Sequence, residues 1–337
     1  MSKKDEKPVK APTRSTQPSD RVVAEAAWLY FVRGKTQGEV AKQLSVSRPT
    51  IINYLRIAKE RKLVNIRLDA RHYRMNEASE KLKDTFGLKS VFVVSEAQDS
   101  TTAIKHQVCE VAAHFLPNWL QAGDALGVSW GDTISQVAEL IPGWPIENLI
   151  VTQLIGSLAE PFPDSSESCC KNIARQLSGY CIHLNAPVTC STAELATALM
   201  QEPAIRQQLQ KQSECNKAIF SLSPCAVNAR EVHRNIALPE DIHEYKNKGA
   251  VGIINGRFIN AAGQAVTGEL DSRLICVDHS LLRSVESFLV VSGTANQKVT
   301  LAALRGGYAD HLALDVSLAE AVLEATGQLR TTSAEYC

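Results

Sequence analysis

The sequence lacks any apolar run close to the roughly 20 residues that a membrane-spanning helix requires. A secretory signal is absent as well, so neither a membrane protein nor a secreted protein is indicated. Hydrophobic residues make up 45% of the chain and charged residues 21%, which is ordinary for a soluble globular protein. With 337 residues, the chain is predicted to form two domains in the cytoplasm.

The cysteines follow no pattern that is typical of disulfides or metal sites. There are nine of them, an odd number, and no CxxC occurs, although Cys169 and Cys170 are adjacent. We expect most of them to pack as small apolar residues in a reducing compartment. The sequence therefore predicts neither a metal site nor a cofactor.

The net charge is zero, but the charges are unevenly distributed. Residues 1–68 contain 15 Lys and Arg against 6 Asp and Glu, whereas the remainder contains 21 against 30. A basic head on an acidic body predicts that the head alone contacts a polyanion. A solubilising basic tail would account for the five basic residues among the first 14. It would not account for the later basic residues Arg48, Arg56, Lys59, Arg61 and Lys62.

Local signals divide the chain into four segments. Residues 1–19 are predicted to be a disordered basic tail, because they are rich in Lys, Pro, Ser and Thr. Residues 20–68 are predicted to be a helix-turn-helix domain, residues 69–87 a linker helix, and residues 88–330 an effector-binding α/β domain. Within 20–68 we expect helices at 21–33, 36–44 and 47–62, followed by a short strand or wing at 63–68.

The start and stop signals of these helices are specific. Gly34 is suited to end the first helix in a left-handed conformation. Thr36, with Glu39 three residues later, forms a capping-box pattern at the second helix. Ser47 is an N-cap residue for the third helix, whose first turn tolerates Pro49.

The third helix has the composition of a recognition helix. Ala41 allows the second and third helices to approach closely, and Ile51 and Leu55 continue the apolar inner face. On the outer face, Arg can pair with guanine and Asn with adenine, while an apolar side chain can touch a thymine methyl group. We predict that double-stranded operator DNA is contacted by Thr36, Gln37, Ser47, Arg48, Pro49, Thr50, Ile52, Asn53 and Arg56. The alternative is a three-helix interaction module with a solvated basic face.

From residue 90 onward, short runs rich in Val and Ile alternate with helical patterns. Strands are predicted at 91–94, 125–129, 149–154, 181–184, 218–221, 251–254, 274–277, 288–291 and 311–314. Helices are predicted between several of them, at 102–116, 133–140, 191–200 and 297–304. The alternation favours a Rossmann-like α/β domain with a mostly parallel sheet.

Small and polar residues follow three of the predicted strands, at 126–133, 154–157 and 292–298. In open α/β sheets, ligands bind at the carboxyl ends of the strands, and a helix N-terminus there favours an anion. The segment at 126–133 could equally be an ordinary strand-to-helix turn. Lys298, at the start of a helix, could meet a phosphate or sugar oxygen, although a solvated lysine is the more common case at such a position.

The chain from about residue 22 to residue 325 resembles the SorC family of bacterial sugar-responsive transcription regulators. The motifs that carry the resemblance are AAWLYFVRGKTQGEVAKQLSVSRPTI, GVSWGDT, NAPV, VGIINGRFINAAG and SGTANQKVTLAALRGGYADHLALD. The resemblance implies a helix-turn-helix joined to an effector domain that is similar to sugar-phosphate isomerases, in a homodimer or homotetramer. It also implies that a metabolite, usually a phosphorylated sugar, binds at the strand ends. The candidate effector-binding residues are Gly127, Ser129, Trp130, Gly131, Asp132, Thr133, Gly156, Ser157, Asn260 and Lys298.

The chain departs from the family pattern in several places. Ile253 and Asn260 stand where the family usually has Asp, and the stretch 221–223 replaces a Gly-Ile-Gly-like turn. Asp132 stands where several members carry Arg. An acid beside a phosphate would cost roughly 1 kcal/mol or more, so a free sugar, a polyol or another small metabolite is also compatible with the sequence.

The sequence thus predicts a DNA-binding transcription regulator whose operator affinity is controlled by a carbohydrate-type metabolite. One alternative is a sugar-phosphate isomerase-like enzyme with a DNA-binding head. Four carboxylates lie near predicted strand ends, namely Asp132, Glu160, Asp271 and Asp315. No sequence motif identifies any two of them as a general acid and a general base. The other alternative is a regulator that has lost its ligand and acts constitutively.

Overall fold

The computed structural model of the protein describes residues 18–61, 63–64, 77–94, 100–158 and 162–327. The chain divides into two compact units, residues 1–68 and residues 69–337. Most of the predicted tail, and most of the predicted wing after residue 64, lie outside the described residues.

Three helical segments form the described part of the smaller unit. Helix α1 (Asp20–Ala27) continues as a π-helix (Trp28–Val32), α2 spans Gln37–Gln43, and α3 spans Arg48–Glu60. Their apolar faces enclose a buried cluster that includes Val23, Val40, Ile51 and Leu55. The predicted helix-turn-helix is therefore present, although the first helix is α-helical only as far as Ala27 and the third ends at Glu60.

Side-chain caps begin the second and third helices, as the sequence predicts. Thr36 Oγ1 accepts a hydrogen bond from the Glu39 amide, and Glu39 accepts one from the Thr36 amide at 2.8 Å, which completes the capping box. Ser47 Oγ accepts a hydrogen bond from the Thr50 amide at 3.2 Å. Between the two helices, Ser45 adopts φ +54°, so the turn uses a left-handed residue other than glycine.

The larger unit contains helices and strands that alternate along most of its length. In chain order these are α4 (Glu77–Phe86), β1 (Ser90–Val94), α5 (Thr101–Trp119), β2 (Ala125–Val128), α6 (Asp132–Leu140), β3 (Ile150–Gln153), α7 (Ser166–Leu177), β4 (Tyr180–Ile182), α8 (Ala193–Gln201), α9 (Pro203–Ser213), β5 (Lys217–Phe220), β6 (Leu222–Pro224), α10 (Arg230–His233), α11 (Pro239–Asn247), β7 (Ala250–Ile254), β8 (Arg257–Asn260), β9 (Ala265–Val266), α12 (His279–Ser284), β10 (Glu286–Val290), α13 (Gln297–Arg305), β11 (His311–Asp315) and α14 (Val316–Ala325).

Seven of the described strands form a parallel sheet in the order β1-β11-β10-β5-β2-β3-β4. Alternate side chains of β1 belong to different apolar clusters: Phe92 and Val94 to one, Val91 and Val93 to the other. Both faces are thus buried, which explains the continuous apolar runs. From β2 to β4, successive strands are added toward one edge of the sheet, and from β5 to β11 they are added toward the other edge. The direction of winding therefore reverses between β2 and β5. The predicted α/β fold is confirmed.

A second, antiparallel sheet in the order β6-β7-β8-β9 was not predicted. The predicted strand at 251–254 belongs to this sheet as β7, not to the parallel sheet. The prediction of a strand at 274–277 was wrong, because Leu274 and Cys276 form only isolated bridges. Short apolar runs have the same appearance in either sheet and in a buried loop, so periodicity alone does not separate them.

The predicted linker helix is described only from residue 77 onward. Its described part, α4, packs on β1 and α14, and Leu82 is fully buried in the same cluster as Val91 and Leu318. The apolar stripe of this helix therefore contributes to the core of the larger unit rather than forming a free connection.

All eight cysteines of the described segments carry free thiols, and six of them are buried. Burial raises the pKa of Cys109 to about 12 and that of Cys225 to about 11, as expected for cysteines that pack as small apolar side chains. Within the described residues, no helix combines the length and the apolar character that crossing a bilayer requires.

Candidate functional site

Helix α3 separates a buried face from a polar one. Ile51 and Leu55 are buried, whereas Arg48, Asn53 and Arg56 are exposed. Ile52, also on the outer face, is 50% exposed although it is apolar. An outer face that offers arginine, asparagine and one apolar side chain has the donors, acceptors and methyl groups that base edges require.

Hydrogen bonds on this face hold the polar side chains together. Arg48 Nε donates to Gln37 Oε1 at 3.3 Å, which links α3 to α2. One Arg56 nitrogen donates to Asn53 Oδ1 at 2.8 Å, and another pairs with Glu60. Five of the predicted DNA-binding residues therefore lie on one exposed face of α3 or beside it. Thr36, Ser47 and Thr50 are engaged in the caps of α2 and α3, and Pro49 lies in the first turn of α3.

In the larger unit, cavities follow the carboxyl ends of the parallel strands. An outer cavity of about 690 Å³ lies between the first turns of α5 and α6 and the turn after β10. An inner cavity of about 500 Å³ lies between α10 and the segment after β5. A notch of about 60 Å³ opens where β2 and β5 end. Because Asp132 lines all three, we treat them as one edge cleft.

A chain of ion pairs crosses the edge cleft. Asp132 pairs with Lys105 of α5 and, at 2.9 Å, with Arg230 of α10. Arg230 also pairs with Asp164, which in turn lies 2.9 Å from Arg234. Burial alone would raise the pKa of Asp132, but the hydrogen bond from Lys105 and the charges of Lys105 and Arg230 lower it overall. The carboxylate of Asp132 is therefore ionised and paired on both of its oxygens.

Glu231 supplies a second carboxyl group, which the sequence did not predict. Its residue surface is only 4% exposed, and Ser223 Oγ donates to its Oε1 at 2.6 Å. The other oxygen, Oε2, is buried without a hydrogen-bond partner among the described residues. Burial is the main cause that raises the pKa of Glu231 above its usual value. Glu231 lines the notch, and a buried carboxyl that keeps one oxygen without a hydrogen bond is suited to a hydroxyl group of a ligand.

Ser129 and Asn255 line the opposite side of the notch. Ser129 Oγ donates to Asn255 Oδ1 at 3.0 Å, and Asn255 Nδ2 donates to the Leu154 carbonyl at 2.9 Å. Asn255 adopts φ +53° in the turn between β7 and β8, which brings its amide over the end of β2. The antiparallel sheet thus contributes to the cleft, and no local sequence signal at Asn255 or Glu231 indicated this.

The predicted effector-binding residues lie in different places. Those of the turn after β2 line the notch together: Ser129, Trp130, Gly131, Asp132 and Thr133. Gly127 lies inside β2, where an added Cβ would meet Leu154 Cδ2 at 2.4 Å, so its small size serves packing.

The remaining predictions fall outside the edge cleft. Asn260 organises its own turn, since its Oδ1 accepts hydrogen bonds from the amides of Ala262 and Gln264 at 3.0 Å each. Lys298 is exposed on α13 and, among the described residues, is not part of the cleft lining. Ser157 lines a separate cavity of about 340 Å³ beside residues 185–189.

Gly156 allows two backbone segments to approach each other. An added Cβ would lie 2.7 Å from the carbonyl oxygens of Ala186 and Pro187, and the Gly156 amide donates to the Ile275 carbonyl at 2.9 Å. The glycine at this strand end is therefore required by packing of the backbone, whatever its relation to a ligand.

Replacing Gly156 with alanine should lower the free energy of unfolding by about 1–3 kcal/mol, because the new methyl group overpacks a rigid backbone contact. Urea denaturation followed by circular dichroism measures this. Gly143→Ala is the matched control, since no atom lies within 4 Å of the Cβ position there. Equal stability of the two variants would show that the loop at 186–187 yields easily.

Comparison with known proteins places the chain in a family. A family model described as "Putative sugar-binding domain" matches residues 71–324, which cover the edge cleft. The uncharacterized transcriptional regulator YjhU of Escherichia coli (strain K12) is 32% identical over 318 residues, covering 92% of this chain and 97% of that protein. The deoxyribonucleoside regulator of Bacillus subtilis (strain 168) is 27% identical, covering 89% of this chain and 96% of that protein.

A solved structure supports the same assignment for the fold. The full-length sorbitol operon regulator SorC from Klebsiella pneumoniae superposes with a TM-score of 0.79 at 22% identity, covering 91% of this chain and all of that chain. The resemblance predicted from the sequence motifs is thereby confirmed. The chain belongs to the SorC family of sugar-responsive transcription regulators.

Proposed function

We propose that α3 binds operator DNA and that a carbohydrate-type metabolite in the edge cleft changes the affinity for that DNA. The observation that carries the proposal is the carboxyl group of Glu231, a residue that lines the notch with Ser129, Ser223 and Asn255. Its buried Oε2 has no hydrogen-bond partner among the described residues. Hydroxyl and amide groups around a carboxyl with a free oxygen form a surface that hydroxyl groups of a sugar or polyol can satisfy. The sugar-binding family model spans these same residues.

On the DNA, the two kinds of side chain on α3 have different tasks. Arg48 and Asn53 are placed to read base edges in the major groove. Arg56 and Lys59 are placed to meet phosphates, which orient the module without reading sequence. Gln37 positions Arg48 through their shared hydrogen bond.

Control by the metabolite requires two states of the protein. A ligand changes DNA affinity only to the extent that it binds the two states unequally. We propose a homodimer or homotetramer in the cytoplasm, because a two-fold assembly matches two operator half-sites that lie one or more helical turns apart. No cofactor enters this scheme.

An isomerase would need an unoccupied general base beside the substrate carbon. Asp132 is held by two cations, Asp271 pairs with Arg257 at 2.8 Å, and Asp315 caps α14. Glu160 lies outside the described residues. Of the carboxyl groups named here that the structure describes, Glu231 alone keeps an oxygen without a hydrogen-bond partner. We expect the purified protein to show no turnover of sugar phosphates.

The proposal is tested by a screen of sugars, polyols and sugar phosphates, with thermal shift as the first readout. Compounds that stabilise the protein are then added to its complex with a duplex selected from a random library, and fluorescence anisotropy reports DNA affinity. We expect at least one compound to raise the melting temperature and to change DNA affinity. If no compound changes DNA affinity, the proposed control by a carbohydrate is wrong.

The Glu231→Leu variant should lose the stabilising effect of the active compound while binding the duplex as the parent does. Glu240→Leu, at an exposed position in the first turn of α11, is the matched control and should keep the response. A full response in Glu231→Leu would place the ligand elsewhere.

A further inference from the structure

We propose that Asp132 is a built-in anion that occupies the cation site of the edge cleft, so that the cleft accepts an uncharged polyhydroxylated compound and excludes phosphate esters. The inference rests on the proposed function, in that the edge cleft is the place where the effector binds.

The geometry places one carboxylate between two cations from separate helices. Arg230 of α10 lies 2.9 Å from Asp132 Oδ1, and Lys105 of α5 is hydrogen-bonded to Oδ2. The side chains of Lys105, Asp132 and Arg230 are 25%, 48% and 35% exposed, so a solute can reach all three. A phosphate group placed at this point would find both cations already engaged.

Charges of the surrounding side chains leave little to attract a dianion. Three cations face the inner cavity, namely Lys105, Arg230 and Arg234, and two carboxylates, Asp132 and Asp164, neutralise most of their charge. A phosphate would have to displace Asp132 and then lie within a few Å of it, where like charges repel strongly. A hydroxyl group can instead donate to the carboxylate and accept from the cations without displacing either.

The unpartnered oxygen of Glu231 points to the same class of ligand. Glu231 lines the notch together with Asp132, Arg230, Ser129 and Ser223, and Ser223 Oγ donates to its other carboxyl oxygen, Oε1. A carboxyl group can exchange a hydrogen bond with a hydroxyl group in either protonation state, whereas its ionised form repels an anionic group. Two carboxyl groups and two serines thus line the notch, and a ligand rich in hydroxyl groups has the chemistry that matches them.

The test uses inorganic phosphate as the probe and the full-length chain, at constant ionic strength. Removing the carboxylate charge in Asp132→Asn should free Lys105 and the Arg230 nitrogen that faced Asp132, while the other Arg230 nitrogen stays paired with Asp164. The affinity for phosphate should then rise by at least about tenfold. Wild-type protein should show no saturable stabilisation by phosphate in thermal shift. Asp132→Ser is a second variant in case the first does not fold, because serine is tolerated at the start of a helix.

Two further variants locate the effect. Adding Lys105→Gln to Asp132→Asn should abolish the gained phosphate binding. Glu194→Gln removes an acid from the first turn of α8, outside the edge cleft, and should leave phosphate binding unchanged. The inference is overturned if wild type binds phosphate as tightly as Asp132→Asn, or if folded Asp132→Asn and Asp132→Ser gain nothing. Failure of the proposed function would give a different result: no sugar would alter DNA affinity, whether or not phosphate binds.

Discussion

Replacing Asp124 with alanine should lower the free energy of unfolding by about 3–5 kcal/mol, because it leaves a buried lysine without its counter-ion. Lys217 Nζ lies 2.9 Å from Asp124 Oδ2, and the two side chains are only 8% and 10% exposed. Lys217 also donates to the Trp119 carbonyl and lies 5.0 Å from the Trp119 ring. Neither contact supplies a negative charge.

The same carboxylate joins the starts of β2 and β5. Asp124 accepts hydrogen bonds from the Gln121 amide and from Asn216 Nδ2, each at 2.8 Å. Because β2 and β5 flank the point where the strand order reverses, loss of this connection acts on the two strands whose opposite ends form the notch. Urea denaturation monitored by circular dichroism gives the free energy of unfolding.

Two controls separate the ion pair from general damage. Glu214→Ala breaks the exposed pair with Lys211 and should cost less than about 1 kcal/mol. The double variant Asp124→Leu/Lys217→Met removes both charges and should recover much of the lost stability. A cost for Asp124→Ala no greater than that for Glu214→Ala would contradict the expectation.

The pH dependence has a definite sign. Burial tends to raise the pKa of Asp124, but hydrogen bonds from Asn216 and Gln121 and the pairing with Lys217 lower it overall. A carboxyl whose folded-state pKa is depressed contributes stability above its unfolded-state pKa and loses it as the pH falls through the folded-state value. The destabilisation caused by Asp124→Ala should therefore shrink as the pH falls below about 4.

The sequence predicts the helix-turn-helix because its signals are local. The capping residues Thr36 and Ser47 act within three residues of themselves, and Ala41 marks the close approach of two adjacent helices. The parallel sheet is predictable for a related reason, since strands buried on both faces produce apolar runs between helical patterns.

The edge cleft is only partly predictable, since long-range topology assembles it. The turn after β2 reaches the cleft as a contiguous motif, whereas Glu231 lies on a four-residue helix in a polar stretch and gives no local signal. Gly156 shows a different difficulty, because a glycine required by backbone packing resembles one required by a ligand. Whether Asp132 repels a phosphate depends on the cations that pair with it. These cations lie on α5 and α10, so the sequence around Asp132 does not reveal them.

Replacing both Asn53 and Arg56 with alanine should weaken binding to a duplex selected by the wild-type protein by about 100-fold, combining a lost base contact with a lost phosphate contact. Arg56→Ala alone should weaken binding to selected and random duplexes alike and reduce the slope of log K against log salt by about 1. Asn53→Ala alone should act mainly on the selected duplex. Fluorescence anisotropy at several salt concentrations distinguishes the two effects.

The hydrogen bond between Arg56 and Asn53 makes the two single effects interdependent. Arg56 donates to Asn53 Oδ1 at 2.8 Å and pairs with Glu60, so Arg56→Ala also releases Asn53, whereas Asn53→Ala leaves Arg56 paired with Glu60. The double variant should therefore depart from the sum of the singles, as residues in one hydrogen-bonded set do. Arg206→Ala, which removes an exposed arginine of the larger unit, is the control and should bind both duplexes as the parent does. If the double variant also binds both duplexes as the parent does, α3 is not the helix that reads the DNA.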